Sequence, residues 1–219
     1  MEQSDLRKIR SSAVASVLEK TSRILSPADL HVEVEPVGAV PAPAFTDGET
    51  ITINAGWEPI NEALGNGFTP STMMVTTALS YHELAHCMFM PRLKSDLVRK
   101  VASEGLFQSF NILQDQADET RFVQLYEPAR HYFTTLVTRY MRINQEYIQN
   151  NYALVSGRLF LPKRFREEFR TNYRNQHHLD EIDALVAEYK GLVSPSDDTR
   201  MMEILRDFHR LVNDINVDT

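Results

Sequence analysis

The chain has one cysteine, Cys87, in 219 residues. No internal disulfide can form, and a reducing compartment is the expected home. Long apolar runs are also missing. Nothing approaches the length of a membrane span, and the opening MEQSDLRKIR lacks the apolar stretch of a signal peptide. Positive charge is in deficit, with 23 Lys and Arg against 30 Asp and Glu and a net charge of −7. That balance excludes a nucleic-acid binder working by general phosphate neutralisation. These absences together predict a cytoplasmic protein with neither nucleic acid nor membrane as partner.

What is present is ordinary for a soluble globular protein: 42% hydrophobic and 24% charged residues, without internal repeats or low-complexity segments. The length suits one domain, or one with an appended subdomain. Residues 4–25 read as an amphipathic helix through Leu6, Ile9, Val14, Val17, Leu18 and Ile24, broken at Pro27. From Leu30 to Pro36 the sequence alternates, with Val32 and Val34 opposite His31, Glu33 and Glu35, as in a half-buried strand. Val37 to Ala44 reads as irregular and Asp47-Gly48 as a turn, and Glu49 to Asn54 alternates again. Two short strands, paired antiparallel, are expected. Thr69-Pro70 is an N-cap followed by proline at the first helical position. The helix after it should stop at Pro91. Nearly everything from Lys94 onward is helical, with breaks near Gly105, Pro128, Gly157, Pro162 and Gly191–Pro195.

That central helix carries His82-Glu83-Leu84-Ala85-His86, an H-E-x-x-H pattern. Two histidines four apart lie about 40° apart around a helix, so both imidazoles can reach one metal ion. Glu83 then stands beside the metal, where it can take a proton from a bound water. Val75, Ala78, Leu79, Ala85 and Phe89 share the histidine face, while Met73, Leu84, Met88 and Tyr81 cover other sides. Such a helix is buried and central. Unpaired polar groups there are costly, and a metal would satisfy them.

Two histidines and a water leave a tetrahedral zinc one protein ligand short. The longer pattern H-E-x-x-H-x-x-G-x-x-H is not continued, because Cys87 to Arg92 supply neither the glycine nor the histidine. A later helix, LFQSFNILQDQADETRF, offers an alternative. Leu106, Phe110, Leu113 and Ala117 form its apolar back, and Gln108, Asn111, Asp115, Asp118 and Glu119 gather on the other side. No Lys or Arg occurs from Val101 through Thr120, so the stripe appeals to an external cation. Asp115 is the expected third ligand, with Glu119 and Asn111 supporting from behind; the reverse assignment of Asp115 and Glu119 stays open.

An H-E-x-x-H helix followed by a carboxylate on a second helix resembles the gluzincin branch of zinc peptidases. HELAHCMF, FNILQDQADETR and YALVSGRLFLP are similar to segments of phage and bacterial metallopeptidase-like proteins that often precede a von Willebrand factor A domain. Gln114 stands where that family usually has Glu, and Ala117 where it often has Arg. DQADETRFVQLYEP is also similar to the ImmA/IrrE-type zinc peptidases, a weaker match given the longer gap from His86 to Asp115.

The resemblance implies an α+β, zincin-like metallopeptidase core over residues 1–127, with a small antiparallel sheet, the H-E-x-x-H helix and a carboxylate helix. A helical C-terminal subdomain over 128–219 would pack on it. The implied activity is hydrolysis of a peptide or protein substrate, with Zn2+ as cofactor and Glu83 as general base. The substrate would add as a strand along Glu49–Asn54. The alternative is a catalytically silent zincin-like module acting with a von Willebrand factor A or MoxR-type AAA+ ATPase partner. Tyr132, Tyr152, Arg158 and His131 are candidate oxyanion donors. Cys87 reads as packing, His177-His178 as a surface turn, and the basic run from Arg158 to Arg174 as an amphipathic helix.

Overall fold

The computed structural model describes residues 3–26, 29–36, 42–90, 96–141, 144–192 and 197–213. The expected helix stops at Pro27 and Pro91 and most of the Val37–Ala44 stretch lie outside them. The fold is α+β, mainly helical with one small sheet. Contacts divide it into two compact units: residues 1–91 with 131–136, and 92–130 with 137–219. The carboxylate helix groups with the C-terminal helices in the second unit. No described helix is long and apolar enough to cross a membrane.

The first unit starts with α1 (Gln3–Leu25). Its buried side is Val14, Leu18 and Ser22, whereas Ile9, Val17 and Ile24 are exposed. The apolar residues expected to share a face therefore split. Position on the helix, set by what α1 packs against, overrides residue type. Glu19, on the same helix, accepts the Val32 N–H at 3.3 Å and pairs with His31 at 2.8 Å.

The sheet corrects the sequence reading twice. It has three strands, β1 (His31–Glu35), β2 (Ala44–Thr46) and β3 (Thr50–Asn54), in the order β1-β3-β2. β1 pairs with β3 in parallel, not antiparallel, and β2 pairs antiparallel. The reason is the tight turn at Asp47-Gly48. Gly48 sits at φ 94°, a left-handed conformation that glycine adopts without strain. The Asp47 carboxylate accepts the backbone N–H groups of Glu49 and Thr50 at 2.9 and 2.8 Å. This hairpin fills one edge of β3, leaving β1 the other. β3 is therefore central, and the expected strand addition along Glu49–Asn54 has no free edge to use. In register, Val32, Val34, Ile51 and Ile53 share the apolar face, with Glu33 and Thr52 opposite and joined by a 3.0 Å hydrogen bond.

After α2 (Ile60–Asn66) comes α3 (Pro70–Phe89), which packs against β2 and β3. The expected start holds. Thr69 is the N-cap, and its hydroxyl and that of Thr72 cap each other's backbone N–H reciprocally.

The second unit is helical: α4 (Asp96–Ser103), α5 (Phe107–Leu125), α7 (Gln145–Asn150), α8 (Lys163–Asn172), α9 (Leu179–Gly191) and α10 (Asp198–Asn213). The helix α6 (Ala129–Tyr140) lies between α5 and α7 in the chain. α5 packs on α4, α9 and α10, and its Phe110, Leu113, Ala117 and Phe122 are buried. α8 buries Phe165 and Phe169, exposes Lys163, Arg164 and Glu167 and leaves Arg166, Glu168 and Arg170 half-buried, the amphipathic helix expected of that basic run.

Candidate metal centre

Nine residues of α3 are buried, among them Glu83, which is 6% exposed. His82 and His86 are half-buried, one turn apart, with ring centroids 4.7 Å apart. Their Nε2 atoms approach to 3.3 Å. A hydrogen bond between two neutral imidazoles has that length. So does one edge of a zinc tetrahedron, since Zn–N bonds of about 2.05 Å at tetrahedral angles put the nitrogens about 3.3 Å apart.

A third donor separates the two. Among the described residues, one group of His, Cys, Asp and Glu side chains has the spacing to hold a metal ion: His82, His86 and Asp115, with ligand atoms all within 4.8 Å of one another. Two imidazoles and a carboxylate, with a coordination position left open, form a donor set that fits a catalytic zinc or another first-row divalent metal.

The other residues of the acidic stripe behave differently from expectation. Asp118 and Glu119 are buried, and each has a cation from the protein itself. Arg121, just past the cation-free segment, pairs with Asp118 at 3.2 Å. Arg158 is 1% exposed and grips Glu119 through Nε at 2.6 Å and Nη2 at 3.0 Å. Burial opposes its charge, but the Glu119 carboxylate outweighs burial and holds the guanidinium above its usual range. The same Nη2 lies 3.8 Å from Asp115. Glu119 is thus linked to Asp115 through Arg158. Asn111 is exposed on α5.

The sequence reading had offered Arg158 as an oxyanion donor and had not paired it with Glu119. The clue was Gly157-Arg158 in YALVSGRLFLP. Gly157 donates its N–H to the Gln116 side-chain oxygen at 2.7 Å, and Gln116 also donates to the Ala153 carbonyl at 2.9 Å. The loop is thereby pinned along α5, and Arg158 projects onto Glu119. Gln114, one of the two departures from the resembled family, donates to Asp118 at 2.8 Å and accepts from the Tyr189 hydroxyl at 2.9 Å.

The remaining oxyanion candidates are mostly engaged. The Tyr152 hydroxyl donates to Asp183 at 2.6 Å and accepts from Arg170. The Tyr132 ring packs edge-on against Tyr81, and His131 is exposed. Cys87 lies 3.2 Å from the Thr46 hydroxyl. Burial pushes its thiol up, the opposite of an activated nucleophile. Compared with known proteins, the chain shows no significant match to any protein-family model, curated sequence or solved structure, so the side-chain geometry alone carries the functional argument.

Proposed function

We propose that His82, His86 and Asp115 hold a zinc ion and that the protein hydrolyses peptide bonds. The observation that carries this reading is the convergence of the three ligand atoms within 4.8 Å, beside a buried Glu83 inside the same motif. Zinc, when bound, supplies Lewis-acid activation of a water and polarises a carbonyl. The protein's own part is positional. α3 holds both imidazoles one turn apart, and Glu83 stands between them in sequence as the group that accepts a proton and passes it to the leaving amine. Arg158 restrains Asp115 electrostatically from one side. Because β3 is covered on both edges, an extended substrate would lie along β2, the edge strand whose Thr46 touches Cys87 of α3.

A second reading is a metal site without turnover, in a module that recruits a partner such as a von Willebrand factor A or AAA+ protein. It is favoured by one observation: Tyr152 and Arg158 spend their donors on carboxylates and carbonyls.

Metal analysis tests the site, and hydrolysis assays with Glu83→Gln separate the two readings. The purified protein should contain about one zinc per chain, lost in His82→Ala, with Asp115→Ala weakening zinc more than Glu119→Ala. Glu83→Gln should keep the zinc and abolish hydrolysis of a broad peptide library. Iron in place of zinc, or a wild type that cleaves nothing, sinks the peptidase reading.

A further inference from the structure

The second unit contains a cavity of ≈ 380 Å³ bordered by α8, α9 and the loop carrying Gly157, within the size range of small-molecule sites. Four cations line it, Lys163, Arg166, Arg170 and Lys190, against two carboxylates, Glu167 and Asp183. In a chain of net charge −7 this is a local reversal of sign.

Pairing the charges shows which are spoken for. Arg170 bonds Asp183 and the Tyr152 hydroxyl, and reaches Asp180 at 2.8 Å. Lys163 stands 3.4 Å from Glu167. Lys190 donates to the Gly157 carbonyl at 2.6 Å but has no acidic partner among the described residues. Arg166 has no ion pair among them either, and its buried Nε has no hydrogen-bond partner. An interior guanidinium N–H without an acceptor is costly and uncommon. An anion in the cavity would remove that cost.

We propose that this cavity binds a small phosphate monoester, a site separate from the metal centre and independent of the peptidase reading. Two uncompensated cations, Arg166 and Lys190, match the charge of a phosphate dianion. The guanidinium fork suits phosphate oxygens, and Leu159 and Val186 offer apolar surface to the organic group.

Calorimetric titration of the full chain with phenyl phosphate, inorganic phosphate and benzoate, at matched ionic strength, tests this. Phenyl phosphate should bind saturably at one site per chain, inorganic phosphate more weakly, and benzoate most weakly. Arg166→Gln should weaken phenyl phosphate roughly tenfold or more without lowering the thermal midpoint, since it removes a group with no internal partner. Ala187→Glu, which sets a carboxylate on the exposed rim of the cavity, should abolish binding. No saturable binding, affinity kept within about twofold in both variants, or benzoate binding as tightly as phenyl phosphate would overturn the proposal.

Discussion

Arg158 carries a buried charge inside the second unit. Its guanidinium meets Glu119 through two nitrogens and the Leu154 carbonyl through the third. Both partners of the ion pair are almost fully buried, at 1% and 2% exposure. Removing one partner of such a pair leaves an uncompensated charge and typically costs about 3–5 kcal/mol. Arg158→Met should therefore lose roughly that much in chemical denaturation. The double variant Arg158→Met/Glu119→Leu should recover most of it, because two apolar side chains leave no charge behind. If the double variant is no more stable than the single one, the pair is not what stabilises this region. From sequence, Glu119 was recognisable as a carboxylate on the right helix. Its partner lies 39 positions away and depends on how the loop folds back.

At the scale of elements, that fold-back depends on Gly157. A Cβ there would come within 2.4 Å of Val186 Cγ1 and 3.0 Å of the Gln116 side-chain oxygen, so any larger residue must displace the Val186 and Gln116 side chains. Gly157→Ala should destabilise by about 1–3 kcal/mol, the usual cost of overpacking. Adding Val186→Ala should return part of it, a coupling visible in a double-mutant cycle of unfolding free energies. α1 and β1 make a different test. The Val32 N–H, together with Arg23 and His31, holds the Glu19 carboxyl below its ordinary range. A depressed folded pKa stabilises the fold above the unfolded value of about 4.3 and ceases to do so as pH falls through the folded value. Glu19→Gln should therefore flatten the acid limb of stability against pH, measured by denaturation between about pH 3 and pH 6. An unchanged limb would mean the contact does not persist in solution.

For the whole molecule, a metal that binds only the folded chain must raise its stability. At free zinc about 100-fold above its dissociation constant the gain is about 2.7 kcal/mol. Thermal unfolding should shift upward with added zinc and fall back with a chelator, and His82→Ala should show neither response. A zinc shift that survives His82→Ala would place the ion elsewhere.

Local chemistry was legible in the sequence. Thr69-Pro70 opens α3, Asp47-Gly48 turns the hairpin, and the spacing of His82 and His86 puts two imidazoles on one face, because caps, turns and helical period act over a few residues. What tertiary structure decided depends on long-range neighbours. It determined that β1 runs parallel to β3 and that β2 closes the other edge. On α1 it kept Val14 and Leu18 buried, added Ser22 and left Ile9, Val17 and Ile24 exposed. It matched Glu119 to Arg158 and Asp118 to Arg121, giving a stripe drawn from a cation-free stretch of sequence its own counter-charges. A chain with alternating or amphipathic patterns specifies which residues are able to face inward. Only the assembled neighbours determine which of them do, since burial and ion pairing are energies of contact between distant segments.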